Sequence, residues 1–281
     1  MSRIIYTPRE NKKIKRPSKK VFFGAVAVLV IILIITGVCL LLLSSRFQIK
    51  YVEVSGMEKL GAEDIKSTAS EFLKGNYKFF IPRSSFFLAG SEDLSQKLQE
   101  NFYLIDSVSV SKKFPDKVII SIKERTPFGI FCKKESGIEA GGGNCAYIDK
   151  NGFAYDEAPF FRGAIFMKIS KDVSEIKIGS RALEPVLMER MENFAEELKR
   201  VTGLETTGFE LFSKIPREAR VATSEGFKIY LNHDDDFKKV LQVLKTVLDQ
   251  EIKDKRSNLE YIDLRFGNKV FYKFKNQTAN K

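Results

Sequence analysis

The sequence predicts a single transmembrane helix followed by an α+β exterior, made of a compact β-α-α-β-β unit and a mostly β C-terminal domain with two helices. An uncharged apolar run at 21–43 predicts the membrane helix. The order strand, helix, helix, strand, strand between 46 and 125 predicts the compact unit. A longer tract of short alternating segments, broken by two helical stretches, predicts the β domain.

Val21 to Leu43 runs for 23 residues without a charge, Asn, Gln, His or Pro. At about 1.5 Å rise per residue such a helix spans roughly 35 Å, enough for a ~30 Å hydrocarbon core with some tilt. Seventeen of the residues are Val, Ile, Leu or Phe, each favouring insertion by roughly 0.3–0.6 kcal/mol at the centre. A secretory signal would have an apolar region of about 7–15 residues ending in a small-x-small site. Here Leu40–Leu43 leads into Ser44-Ser45-Arg46, and Cys39, behind Thr36 and Val38, lies too deep in the run for a lipoprotein site. The run therefore reads as an uncleaved anchor in the lipid bilayer.

Residues 1–20 hold eight Lys or Arg against the single acid Glu10, a charge of +7 out of +11 for the whole chain. Basic residues beside a span stay on the cytoplasmic side, so the N-terminus is expected inside and 46–281 outside. The basic tail suits an anionic leaflet. Nucleic-acid binding needs a basic face on a folded domain, and the remaining +4 gives none. The exterior, 236 residues, exceeds one typical domain. Cys132 and Cys145 flank a Gly-rich loop (Gly137, Gly141–Gly143); outside the cytoplasm they either form a disulfide or stand as two separate thiols.

Along the exterior, Arg46 to Val54 reads as a strand closed by Gly56. Gly61 to Lys74 reads as a helix, with Ile65, Ala69, Phe72 and Leu73 on one stripe and Gly75 ending it. A Phe-rich loop follows (Phe79, Phe80, Phe86, Phe87). Ser91 is expected to cap a short helix with Leu94 and Leu98 inward. Ser107 to Ser111 alternates cleanly, Phe114-Pro115-Asp116 turns, and Val118, Ile120 and Ile122 alternate back to Glu124.

A basic tail, one span, and this unit with Phe114-Pro115 in its hairpin and Glu124-Arg125-Thr126-Pro127 at its exit together resemble the FtsQ/DivIB family of bacterial cell-division proteins. In that family the unit is called a POTRA domain. Transport proteins with POTRA units usually repeat the unit before a barrel; a second copy is not found in this sequence.

Further on, Phe128 to Cys132 reads as a strand. Ala146–Asp149 and Phe153–Tyr155 form a hairpin across Lys150-Asn151-Gly152. Ala164 to Ile169 reads as a strand, Pro185 to Val201 as a helix stopped by Gly203, and 208–212, 218–222 and 227–231 as strands. Asp234-Asp235-Asp236 opens a helix whose stripe runs from Phe237 to Ile252, four turns. The last hairpin is Leu259–Phe266 and Lys269–Phe274 across Gly267-Asn268. The resemblance continues here. The family's Asp-x-x-Gly hairpin is matched by Asp149-Lys150-Asn151-Gly152, and its terminal Y-x-D-L-R-Y by Tyr261-Ile262-Asp263-Leu264-Arg265-Phe266, with Phe replacing the last Tyr.

No catalytic set emerges. The single His233 reads as a surface residue, and the cysteines supply no metal motif. Asp149–Gly152 lacks the remaining ligands of a calcium loop, N-capping accounts for Asp234–Asp236, and Gly141–Gly143 has no phosphate-loop context. No metal or cofactor is expected. The final strand allows two readings: its lysines guard an edge against aggregation, or the edge, with Val270, Tyr272 and Phe274 on one face and Lys269, Phe271, Lys273 and Lys275 on the other, accepts a partner strand.

The resemblance implies the second. It implies a non-enzymatic single-pass scaffold of the divisome, in the cell inner membrane at the division septum, that links early and late division proteins and helps control septal peptidoglycan synthesis. Its POTRA domain (46–125) would meet other division proteins. Its C-terminal domain (126–275, before a polar tail 276–281) would bind FtsB/FtsL-type proteins through Arg265, Phe266, Val270, Phe271, Tyr272 and Lys273. A membrane-tethered cell-wall enzyme is the alternative, distinguished by peptidoglycan turnover; a transport chaperone would need a barrel partner.

Overall fold

The computed structural model describes residues 19–77, 81–134, 144–159, 166–267 and 269–275. Most of the basic tail, Phe79 and Phe80, the Gly-rich loop, the first positions of the strand expected from Ala164, Asn268 and the polar tail lie outside them. Close packing groups the chain into two units. One comprises the segments up to Glu53, Lys66–Leu94 and Val110–Ile120; the other comprises Val54–Ile65, Ser95–Ser109 and everything from Ser121 on.

The predicted anchor is helix α1 (Lys19–Leu43), long and apolar enough to cross a membrane and unburied over Phe23–Leu43. The strand expected from Arg46 starts later, as β1 (Tyr51–Ser55), because Ser44 accepts the Arg46 N–H and winds Ser45–Phe47 into a 3-10 turn. Next come α2 (Ala62–Lys74), the two-residue strands β2 (Asn76–Tyr77) and β3 (Ile81–Pro82), and α3 (Ser91–Asn101). Ser91 already belongs to α3, since the Leu94 N–H bonds the carbonyl of Gly90. The strands β4 (Ile105–Lys113) and β5 (Lys117–Glu124) turn at a cis Phe114–Pro115 bond, and the small sheet has the order β1-β5-β4. Ile65, Ala69 and Leu73 of α2, Leu94 and Leu98 of α3, and Val118, Ile120 and Ile122 of β5 are buried, as their spacing predicts.

Two adjacent residues finish β5 with separate tasks. Gly56 (φ 85°) lets the chain leave β1 so close to β5 that a Cβ there would stand 2.1 Å from the Ile122 carbonyl oxygen. The following amides then reach Glu124, whose carboxylate accepts the N–H groups of Glu58 (3.0 Å), Lys59 (3.0 Å) and Leu60 (2.9 Å). Arg125 donates to the Tyr103 carbonyl (3.0 Å) and to Asp149, and lies 4.3 Å from the centre of the Phe153 ring. The other oxygen of Asp149 accepts the N–H groups of Asn151 (2.8 Å) and Phe153 (3.0 Å), shaping the turn that Gly152 (φ 74°) completes.

The remaining elements are β6 (Gly129–Lys133), β7 (Cys145–Ile148), β8 (Phe153–Glu157), β9 (Met167–Lys171), β10 (Ser180–Arg181), α4 (Pro185–Thr202), β11 (Thr206–Leu211), β12 (Glu218–Thr223), β13 (Lys228–Asn232), α5 (Phe237–Thr246), β14 (Leu259–Phe266) and β15 (Lys269–Phe274). The ten strands form one sheet in the order β10-β8-β7-β6-β9-β11-β12-β13-β14-β15. Three neighbouring pairs are parallel: β6 with β9, β9 with β11, and β13 with β14. Parallel neighbours need a crossover, and α4 and α5 supply the last two. Both helices share the main core with the sheet: Met188, Met191, Phe194 and Leu198 of α4 and Leu241 and Leu244 of α5 cluster with Phe131, Ile169, Val221, Ile229 and Ile262. Gly203 ends α4 in the left-handed conformation, returning its N–H to Lys199.

The four-turn helix expected to Ile252 is shorter. After Thr246 the chain widens into a π turn (Val247–Ile252), then a 3-10 turn (Lys253–Asn258). Leu248 and Ile252 are fully buried in it, so the apolar stripe continues while the hydrogen-bond pattern changes. His233 lies at the surface, half-buried. Its Nε2 lies 2.6 Å from the Pro216 carbonyl, and its own carbonyl accepts Arg190 Nε of α4 at 2.6 Å. Asp236 caps α5 through the Lys238 N–H (3.2 Å).

Burial raises the pKa of Glu124, but its three backbone donors outweigh that effect and hold it below the ordinary 4.5. A carboxyl depressed in the folded state contributes stability above its unfolded pKa and loses it as pH falls through the folded value. Glu124→Gln should therefore destabilise the chain at neutral pH and flatten the acid limb of stability below pH 4.5, read by urea unfolding of the detergent-solubilised protein across pH.

Candidate functional site

Strand β15 is the last of the ten and, among the described residues, pairs with β14 alone. Their register sets Tyr261 opposite Lys273, Ile262 opposite Tyr272 and Asp263 opposite Phe271. Two register shifts, between Leu259 and Tyr261 and between Asp263 and Phe266, each place an extra residue on β14, leaving β15 regular. The Lys275 N–H bonds the Asn258 carbonyl (2.7 Å). Alternation from that point turns the N–H groups of Lys273 and Phe271 toward β14 and those of Tyr272 and Val270 to the open side.

The two faces of the edge differ. Val270 and Phe274 pack against the helix-covered core, and a groove of about 510 Å³ between α5 and β15 is lined by Val243, Thr246, Val247, Val270 and Tyr272. On the opposite face Phe271 is exposed and meets Phe266 edge-on, ring centres 5.4 Å apart. Lys273 is tied to Glu260 at 2.7 Å, and that hydrogen bond raises its pKa, so this lysine is engaged within the hairpin. The structure thus brings Arg265, Phe266, Phe271 and Lys273 to one face and sets Val270 and Tyr272 on the other.

Beneath Phe271 lies an ionic cluster that the sequence did not reveal. Glu218 of β12 and Asp263 of β14 are only 2% and 5% exposed. Arg265 bonds Asp263 through Nε (2.8 Å) and Nη2 and reaches Glu218 through Nη1. Arg220 holds the other oxygen of Glu218 at 2.9 Å. The two charges of each sign cancel, and the bond to Asp263 leads the effects that push the Arg265 pKa up. Tyr230 and Tyr261 stack beside them (4.9 Å, 8°), with Arg220 4.6 Å and Arg265 5.5 Å from the Tyr230 ring. The polar belt extends across the sheet: Glu210 takes Lys228 (2.6 Å) and Lys134 (3.1 Å). Burial opposes the charge on Glu210, yet the two lysines keep its pKa below the usual range. The strict alternation Glu218-Ala219-Arg220-Val221 marks a polar face, but nothing local announces that Asp263 and Arg265 share it.

Cys132 and Cys145 lie directly opposite on β6 and β7 and are joined by a disulfide. With Ile130 they form a small cluster against Tyr147, Ala158 and Phe166, separate from the main core. Among the described residues no group of three His, Cys, Asp or Glu is placed to hold a metal ion.

An apolar anchor helix, a β-α-α-β-β unit and an open ten-stranded sheet with β10 and β15 at its ends define a membrane-anchored POTRA-type protein. An FtsQ-type POTRA domain profile matches residues 47–125. Two proteins named cell division protein DivIB are similar along nearly the whole chain. That of Clostridium botulinum strain Hall is 25% identical over 279 residues, covering 97% of this chain and 99% of its own. That of strain Loch Maree is 26% identical over 277 residues with the same coverage. The chain is thus similar to FtsQ-type POTRA domains over 47–125 and to these DivIB division proteins along nearly its whole length.

Replacing both Cys132 and Cys145 by Ser should lower the unfolding free energy by about 3 kcal/mol, the closure entropy of a loop this short. Dithiothreitol should match that effect in the parent and do nothing further to the variant. Arg265→Met strips Asp263 of its cation, leaving it the backbone N–H of residue 265 (3.1 Å), while Glu218 keeps Arg220, so the loss should be about 3 kcal/mol, the low end for a broken buried pair. Arg265→Lys should rescue little, because an ammonium cannot reach both carboxylates in a fork. Urea denaturation curves check both outcomes.

Proposed function

We propose that this chain is a membrane-anchored cell-division protein without chemistry of its own, which offers the open side of β15 to a strand from a bitopic FtsB/FtsL-type partner. The observation that carries the reading is the regular, one-sided β15, with exposed Phe266, Phe271 and Tyr272 beside its free amides. Strand addition draws affinity from main-chain hydrogen bonds and specificity from side-chain pockets. Exposed aromatics next to such an edge are the usual anchors of an interface. The groove lined by Val270 and Tyr272 takes alternate side chains of the incoming strand, while Phe271 and Phe266 meet it from the other face. The names of the DivIB relatives support the division role.

In this reading residues 1–20 are cytoplasmic, 21–43 span the inner membrane, the POTRA unit (46–125) recruits other division proteins, and 126–275 form the partner-binding domain at the septum. The chain works as a scaffold linking early and late division proteins in control of septal peptidoglycan synthesis. Turnover of peptidoglycan by the purified protein would instead favour a membrane-tethered enzyme.

Tyr272→Pro removes an outward N–H and leaves the β14 ladder intact. It should weaken partner capture tenfold or more, about 1.4 kcal/mol, with an unchanged thermal unfolding curve. Full retention of binding by the folded variant rules out edge pairing. Phe271→Pro is the wrong test, since it also takes a rung from the β14–β15 ladder.

A further inference from the structure

We propose that Phe47, Phe86, Phe87 and Phe114 form a second membrane contact, seated in the headgroup–acyl boundary of the leaflet where α1 ends. The proposal rests on α1 crossing the bilayer and is independent of the partner reading.

The tether fixes the height. Phe47 is four residues beyond Leu43, the end of α1. The link is wound: the Ser44 N–H bonds the Leu41 carbonyl (3.3 Å) and the Phe47 N–H that of Ser44 (3.1 Å). At about 2 Å rise per residue in a 3-10 turn, Phe47 lies about 8 Å past the helix end. The headgroup layer on each side of the hydrocarbon core is about 5–7 Å deep. Even if the link runs straight along the membrane normal, Phe47 is tethered near the outer edge of the headgroup layer, and any tilt of the link brings it further in.

Phe47 brings three more rings with it. Its ring centre is 5.6 Å from that of Phe87 and 5.8 Å from that of Phe114. Phe86 lies 5.7 Å from Phe87 and 5.6 Å from Phe114, closing the set. All four belong to one compact unit. A cluster that served only as a core would hide its rings, yet Phe114 is 63% and Phe87 46% exposed, and Leu88 next to them is exposed as well. The exposed charges beside the rings are the basic Arg46, Lys112 and Lys113, while Asp116 on the Phe114 turn is half-buried. Lys112 is held over the Phe86 ring at 5.6 Å while bonding the carbonyls of Phe86 (3.0 Å) and Ala89 (3.1 Å). Aromatic rings rimmed by cations, next to a span, have the chemistry that settles at a bilayer interface with anionic headgroups. A single helix leaves a domain free to swing; a second point of contact restrains it.

The chain contains no Trp, so one introduced indole reports alone. Full-length Phe114→Trp protein is reconstituted into phosphatidylcholine–phosphatidylglycerol vesicles and compared with Ile215→Trp, an exposed position of the large-sheet unit. The expected result is blue-shifted emission, an acrylamide quenching constant lower by about twofold or more, and quenching by lipids brominated near the headgroup, as interfacial burial requires. Phe87→Trp probes the same contact from another segment and should behave alike even if the hairpin tolerates Phe114→Trp poorly. Emission and acrylamide access equal to Ile215→Trp in both variants would overturn the proposal. So would an indole shielded from acrylamide but untouched by brominated lipid, which would assign the rings to protein contact.

Discussion

Two carboxylates carried nearly out of water, Glu218 on β12 and Asp263 on β14, impose the geometry at the end of the large sheet. Arg265 joins them over the width of β13, and Arg220 completes the neutralisation. Such a pair adds little net stability over an apolar replacement, because desolvation consumes most of the attraction, but breaking it is costly. Its contribution is positional. With Arg265 fixed, β14 cannot slide along β13, the Tyr230–Tyr261 stack is held in place, and the turn toward β15 starts from a set point. Without that constraint the terminal hairpin would rest on ladder hydrogen bonds interrupted by two bulges.

The same economy recurs at Glu124 and Asp149. Each carboxylate gathers backbone N–H groups of a loop that has no ladder partner, three at Glu124 and two at Asp149. Arg125 then links the exit of β5 to the β7–β8 turn. The two short motifs that suggested the family are thus halves of one contact: the Arg of Glu-Arg-x-Pro meets the Asp of Asp-x-x-Gly. That physical coupling explains why residues 24 positions apart in the chain belong to one pattern.

Legibility in the sequence followed the range of the interactions. The anchor, α2, α3, α4 and both Gly-marked hairpins announce themselves through local periodicity and turn chemistry, and the structure places them within a few residues of expectation. The edge character of β15 was legible in its alternating lysines, which suit an end strand, and the sheet order puts β15 last among the described strands. The order of the ten strands was not, because three parallel pairings depend on which crossover packs where. The start of β1 was misjudged because Ser44 diverts the chain into a turn before pairing begins. The helix after Asp236 was drawn too long because a π turn keeps Leu248 and Ile252 inward, preserving the stripe while changing the backbone. The Glu218–Arg265 contact spans 47 positions and carries no local signal.

The asymmetry of the last hairpin has a further consequence. β14 absorbs both extra residues, so all the irregularity lies on the strand that already has two neighbours. β15 keeps an unbroken two-residue repeat from Lys269 to Phe274, and with it a fixed phase between outward amides and side-chain faces. Any chain laid along it inherits that phase. Sliding by one residue exchanges every side chain of the newcomer between the groove and the opposite face, and sliding by two restores the match one rung away. The edge therefore discriminates by parity, admitting a small ladder of equivalent alignments among which the spacing of bulky side chains must choose.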